Sequence, residues 1–175
     1  MMDVIARLDL LSVTVLALVT LQRLAELIYA RVNEARLRLR GGVEHGAGHY
    51  RVIVGLHAAW LAGLWLLASA RHPQLTWLLA FLVLQALRLW VLATLGTRWT
   101  TRIIVLPGEP LVRTGPYRLL SHPNYAVVAG EIFVLPMAYG LPGFAVLFST
   151  LNAAMLGVRI RTEDRALRQA AAGPR

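Results

Sequence analysis

Hydrophobic residues run along this chain in long blocks instead of alternating with polar ones, and the blocks set the architecture. Five can be traced: Leu8 to Tyr29, Val52 to Ala70, Leu75 to Leu95, Tyr125 to Tyr139 and Phe144 to Val158. The first three match the roughly 20 apolar residues that a helix needs to cross a hydrocarbon core about 30 Å thick. The last two are shorter, and only Gly140-Leu141-Pro142-Gly143 divides them. A Gly/Pro cluster of this kind marks a turn, so the pair is predicted as a tight helical hairpin that need not span fully. The pattern predicts an all-α fold. It is a polytopic integral membrane bundle of about five transmembrane helices, including the C-terminal hairpin, in one domain over 1–175.

Composition agrees with the pattern. Hydrophobic residues make up 57% of the 175 and the mean hydropathy is +0.58, whereas a soluble domain has about 45–50% apolar residues. There is no cysteine, which removes disulfides, thiolate nucleophiles and thiolate metal sites. The first block is expected to stay as a helix. It is too long for a cleavable signal peptide, carries Asp3 and Asp9 where a basic region would stand, and lacks a small-residue cleavage site before Arg31.

Charge adds orientation. All 18 basic residues are arginine, and only Arg7 and Arg71 fall to one side of the predicted bundle. Arg23 and Arg88 lie within or near the ends of helices, and the rest belong to Arg31–Arg51, Arg98–Arg118 and Arg159–Arg175. By the positive-inside rule those three groups are cytoplasmic and the N-terminus is outside. A formal net charge of +9 could indicate nucleic acid, but no separate basic domain exists. Arginines at helix ends fit anionic lipid headgroups, and Arg36, Arg38 and Arg40 are read that way. The loop Arg31–Tyr50, the connection Gly96–Asn124 and the tail from Arg159 are thus predicted to meet on one face.

The central segment Arg113–Glu131 is the polar anomaly. Gly115-Pro116 forces an extended or turned backbone at Gly115, and His122-Pro123-Asn124 acts alike. A helix should begin about Tyr125, with Pro123 near its first turn and Asn124 as cap. Its N–H groups, beside an imidazole, an amide and a phenol, suit a carboxylate or phosphate; the plainer reading is a loop whose polar groups satisfy one another. No second histidine stands at metal-ligand spacing from His122, so no metal site is expected. Glu131 lies inside an apolar helix, where an acid is a functional candidate by default; pairing with Arg88 or Arg159 is the structural alternative. In the tail, Arg159, Glu163 and Leu167 share one helical face with Asp164 beside it, which by itself is a solvated helix end.

In order, these segments carry Gly96-Thr97-Arg98-Trp99, Gly115-Pro116-Tyr117-Arg118, Ser121-His122-Pro123-Asn124-Tyr125 and Arg159-Ile160-Arg161-Thr162-Glu163-Asp164-Arg165-Ala166-Leu167. The series resembles the isoprenylcysteine carboxyl methyltransferase family of membrane enzymes over roughly the C-terminal half, and it is more specific than any one motif. Two positions depart: Ser121 replaces a basic residue before His-Pro, and Glu163-Asp164 replaces a pair of glutamates. The resemblance implies S-adenosylmethionine as donor, bound in a pocket formed by the cytosolic loops and tail. It implies contacts from Tyr117, His122, Pro123, Asn124, Tyr125, Glu163 and Asp164 to that cofactor, with residues 96–175 as the cofactor-binding half. Arg159 would face the acceptor, with Glu163 beside it as a catalytic candidate. The N-terminal half, 1–95, through Arg23, Glu26, Asn33, Arg36, Gly41-Gly42, Glu44, His49-Tyr50 and His57, resembles more loosely a bacterial branch acting on long-chain alkylresorcinols or alkylpyrones. There Glu44, His49 and His57 are candidate acceptor contacts or satisfied buried polar groups.

Methyl transfer is displacement at an activated sulfonium carbon, so positioning and exclusion of water supply most of the rate. An ionised carboxylate or hydroxypyrone needs no base. A resorcinol hydroxyl, with a pKa of about 10, benefits from one, and His49, His57 and Glu131 are the candidates. Arg159 could steady the oxyanion in either case. The expectation is a methyltransferase that draws a lipid-like acceptor from the bilayer of a bacterial inner membrane. Other readings are phospholipid N-methylation, an NADPH-dependent sterol-type reductase with an arginine-lined 2′-phosphate slot, and a scaffold or small transporter with no cofactor. Gly55 and Ala59 permit close helix packing, but that pattern fixes no oligomeric state.

Overall fold

A computed structural model describes residues 8–171; the expectations for Asp3, Arg7 and the last four residues, Arg175 among them, lie outside the described residues. The helices are α1 (Leu10–Leu39), α2 (Ala47–Ala68), α3 (Leu75–Leu95), α4 (Pro123–Ala138) and α5 (Pro142–Ala171). Four of them, α1, α2, α3 and α5, are long and apolar enough to cross a membrane, and α4 is a shorter arm of 16 residues. The chain is an all-α polytopic membrane protein. The α4–α5 hairpin turns at Gly140, whose φ of 64° suits a residue without a side chain, and Pro142 opens α5.

Two helices outrun their apolar blocks. α1 continues through Arg31, Arg36 and Arg38 to Leu39, so most of the expected loop Arg31–Tyr50 is helix. Hydropathy senses where the hydrocarbon ends, not where hydrogen bonding ends. Arg, Leu, Glu and Ala are strong helix formers, and buried Ala30, Asn33 and Leu37 keep one face turned inward. Likewise α5 passes Val158 and buries Arg159 and Ala166.

Beyond α1 the chain makes a small departure from helix. Strand β1 (Val43–His45) pairs antiparallel with β2 (Ile103–Val105), with Glu44 opposite Ile104. Gly42 permits the approach: a Cβ there would lie 2.7 Å from the Leu37 carbonyl oxygen and 2.8 Å from the Ile104 side chain. Ile103 and Val105 then pack on Ala166 of α5. The first loop, the long connection and the tail therefore meet at one polar end, as expected.

The bundle is layered along its axis. At the end away from the strands, Leu16 and Val19 of α1 pack with Trp60 and Leu64 of α2, Phe81 of α3 and Leu135 of α4. Nearer the strands, Ala30, Val91 and Trp99 form a second apolar cluster. Between them lies a layer of buried ions. Arg88 donates to Glu26 from Nε and Nη2, both at 2.5 Å, and to Glu131 from Nη1 at 3.0 Å. Arg23 reaches the same two carboxylates at 3.1 and 2.7 Å, and Gln85 donates to Glu131 at 2.8 Å. Arg88 falls three residues past the middle of α3, about 4–5 Å along a rise of 1.5 Å per residue. A lone cation so deep costs on the order of 2.5–3.5 kcal/mol even on insertion scales. Two arginines matched by two glutamates leave the layer neutral.

Candidate functional site

At the polar end the connection Gly96–Asn124 is tied down piece by piece. Asn33, fully buried on α1, donates to the carbonyls of Trp99 (2.9 Å) and Gly96 (3.3 Å) and fixes the turn after α3. Arg102 donates to Glu44 at 2.5 Å, lies 3.3 Å from Glu34, and stacks 4.0 Å over the Tyr50 ring. Arg38 also pairs with Glu44. Burial pushes the Glu44 carboxyl upward, but the hydrogen bonds from Arg102 and Arg38 outweigh it and hold the group below the usual 4.5. Glu109 takes ion pairs from Arg40 and Arg98, so Arg38 and Arg40 are engaged within the protein as well as standing at its surface.

Gly115 adopts φ +54°, the turned option, with Thr94 and Trp90 directly behind it where a side chain would stand. The turn through Arg118 buries Pro116 and directs Tyr117 onto the Trp99 cluster. His122, not Asn124, occupies the N-cap of α4, without a capping hydrogen bond from its side chain. Pro123 takes the first helical position, and the helix starts two residues earlier than expected. Fewer backbone donors remain than anticipated: Pro123 has no N–H, and those of Tyr125 and Ala126 both donate to the His122 carbonyl. The Asn124 side-chain oxygen is buried with no partner.

The imidazole of His122 turns instead to α5. Its Nε2 lies 3.1 Å from Asp164 and its Nδ1 3.7 Å from Glu163, and the ring stacks on Tyr125 at 5.4 Å. The Tyr125 hydroxyl donates to Glu163 at 2.5 Å. Burial, and then the Glu163 carboxylate, push the Tyr117 hydroxyl above its ordinary value. Arg159 does not pair with Glu163 as helix spacing would allow. It donates to the Thr101 carbonyl at 2.9 Å and points over the Tyr125 ring at 5.6 Å. A guanidinium only 6% exposed, with no carboxylate among its described partners, is a standing attraction for an anionic oxygen.

Two cavities meet at that guanidinium. One, of about 230 Å³, opens at the polar end and is lined by Tyr117, His122, Glu163 and Leu111 among others. The other, about 290 Å³, is largely apolar and runs between α1 and α2, past Leu24, Leu27, Ile53, Val54 and Leu61. Trp99, Thr100, Asn124, Tyr125 and Arg159 line both. The floor of the second cavity is the ion layer, with Arg23, Glu26, Arg88 and Glu131, and His57 stands in its wall.

The structure thus brings together Tyr117, His122, Asn124, Tyr125, Glu163, Asp164 and Arg159, with Pro123 buried behind them. Glu131 faces the second cavity, held by Arg23, Arg88 and Gln85, so that the alternative of pairing with Arg88 is realised. Glu44 is in the strand network and lines neither cavity, though its partners Arg102 and Ile104 line the polar one. His49 packs against Gly46, and its Nε2 is buried without a partner. Sequence reasoning missed Thr101, Arg102 and Asn152. Arg23 and Glu26 stand three residues apart inside an apolar block, a second signal of an intramembrane ion pair beside Glu131.

A model of the isoprenylcysteine carboxyl methyltransferase family matches residues 77–169. The uncharacterized protein YpbQ of Bacillus subtilis (strain 168) is 40% identical over 159 residues, covering 88% of this chain and 95% of the relative. No solved structure matches. The family match takes in α3, the long connection, α4 and most of α5, which contribute both cavities' shared wall.

Proposed function

Since the chain belongs to the isoprenylcysteine carboxyl methyltransferase family, we propose that it is a membrane O-methyltransferase that uses S-adenosylmethionine and a lipid-like acceptor. The observation that carries this reading is the pair of cavities of opposite character sharing a wall at Arg159 and Tyr125. A polar donor and an amphiphilic acceptor can meet there without either leaving its own medium.

The residues of the polar cavity fit the donor. The positive end of α4 suits a methionyl carboxylate, while the unpartnered Asn124 side-chain oxygen is an acceptor for the α-ammonium. Glu163 and Asp164 offer charge to the α-ammonium, and Tyr117 with Leu111 and Leu95 offers apolar surface to an adenine. Bound there, the donor supplies an electrophilic methyl group. The chain's part is to orient the two reactants, to exclude water through the apolar wall, and to hold the acceptor oxygen by Arg159. Acceptors of the isoprenylcysteine type present a carboxylate, and alkylresorcinols or alkylpyrones a hydroxyl; the gap between α1 and α2 accommodates either tail. Three arginine groups at the polar end support a cytosolic donor side, an external N-terminus and a bacterial inner membrane.

The competing chemistries have less support. Arg98 and Arg102 line the polar cavity but are engaged by Glu109, Glu34 and Glu44, which leaves Arg159 as a single cation there without a carboxylate among its described partners, not the arginine-lined slot that the 2′-phosphate of NADPH calls for. An amine acceptor would meet the buried Arg159 charge, which disfavours phospholipid N-methylation. Calorimetry on the detergent-purified protein tests the reading. S-adenosylhomocysteine is expected to bind and NADPH not to; tight NADPH binding with no response to the homocysteine compound refutes it.

A further inference from the structure

Behind the wall of the apolar cavity lies a polar pair that the donor site and the ion layer leave unused. Asn152 of α5 is 1% exposed, and neither its amide oxygen nor its amide nitrogen has a hydrogen-bond partner. Two uncompensated amide atoms in an apolar bundle each carry a desolvation penalty, so their retention calls for a physical reason. Asn152 lies beside His57 of α2, whose Nε2 is likewise buried and unpartnered. His57 lines the apolar cavity, and Asn152 does not. The order from the helix interior outward is therefore amide, imidazole, cavity.

Resting on the methyltransferase reading, we propose that His57 is the proton acceptor for a hydroxyl-bearing acceptor lipid, and that Asn152 positions it. A small side-chain rotation lets the Asn152 carbonyl oxygen accept from His57 Nε2–H. That hydrogen bond selects the tautomer whose Nδ1 lone pair is open to the cavity. The charged and titratable groups facing His57 are Arg23 and Glu26 of α1, Arg88 of α3, Glu131 and Tyr125 of α4, and Arg159 of α5. Both glutamates are held by Arg23 and Arg88, which disqualifies them as bases. Arg159 remains as the uncompensated cation, opposing a charged imidazole at rest and favouring an oxyanion. In the step, the acceptor O–H bond breaks and its proton goes to His57 Nδ1. The oxygen forms the new bond to the methyl carbon, and the S–CH3 electron pair leaves with S-adenosylhomocysteine. A carboxylate arrives ionised and has no use for the pair.

The test compares two amphiphiles with the same tail, one ending in a phenol and the other in a carboxylate. His57→Gln keeps polarity but cannot take the proton, and the ratio of phenol to carboxylate turnover is expected to fall about 100-fold, the lower range for a general base. Asn152→Ala should lower the same ratio through kcat rather than KM. In both variants a nitrophenol analogue, ionised at neutral pH, should restore turnover. A second readout needs no catalysis. Quenching of Trp60 and Trp99, which line the cavity, reports binding without donor. Wild type should prefer the phenol to its methyl ether about fivefold, one net hydrogen bond, and His57→Leu should lose that preference. An unchanged turnover ratio, equal loss with both acceptors, or no preference over the ether overturns the proposal while leaving the methyltransferase reading intact. Failure of the wild-type protein to bind S-adenosylhomocysteine overturns both.

Discussion

Glu131 is 1% exposed, and Arg23, Arg88 and Gln85 supply three donors to its two oxygens. Removing it strands Arg88 with Glu26 alone, and Arg23 competes for the same acid. Breaking a buried pair by deleting one partner costs about 3–5 kcal/mol. Glu131→Ala is therefore expected to lower the detergent melting temperature sharply, whereas Arg23→Ala, at a site where the side chain is 23% exposed, should cost less. Equal melting curves for wild type and Glu131→Ala would contradict the layer's role. At this scale the sequence was readable in part. An acid in an apolar helix announces itself, and Arg88 is a visible partner. The contribution of Arg23 and Glu26 depends on which way α1 is rotated, and a uniformly apolar block carries no such phase. The same limit hid Asn152, one asparagine in a run of leucines and alanines until α2 places His57 beside it.

The helical extensions and the strand pair decide how the polar end is assembled. α1 and α5 were bounded from their apolar blocks alone, and both continue because arginine and glutamate keep helical hydrogen bonding where hydrocarbon stops. The strand pair gave less warning: three residues each, separated by two helices and their turns, with a register set by Gly42 and by Glu44. The charge on Glu44 makes the pair pH-sensitive. The folded protein holds this carboxyl below its ordinary 4.5, so its stabilisation is present above that value and is lost as pH falls below it toward the folded pKa. Amide protection factors at Glu44 and Ile104, corrected for intrinsic exchange, should drop as pH is lowered from about 5 to about 2 while those of α3 persist. Glu44→Gln should already exchange faster at neutral pH and change little over that window. Protection that is flat across the window in wild type would rule out this linkage.

For the molecule as a whole, the proposed methyl transfer depends on sidedness: the polar cavity and the apolar cavity can divide donor and acceptor only if the polar end faces the donor's compartment. Arginine placement sets the expected sense. Arg71 and His72 follow α2 at the far end, while Arg98, Arg113, Arg118, Arg161 and Arg168 crowd the strand end, and each positive charge moved to the wrong side opposes insertion. A cysteine-free background allows single-cysteine labelling with a membrane-impermeant reagent. His72→Cys, whose parent side chain is 73% exposed, should react in intact cells. Arg113→Cys and Arg168→Cys should react only after the membrane is opened. Reaction of Arg113→Cys and Arg168→Cys from opposite sides would break the common polar end and with it the shared wall at Arg159. Reaction of both from outside would keep the fold and invert the molecule, putting the donor cavity out of reach of a cytosolic methyl donor. Only the pattern with His72 alone accessible lets the fold, the arginine distribution and methyl transfer hold together.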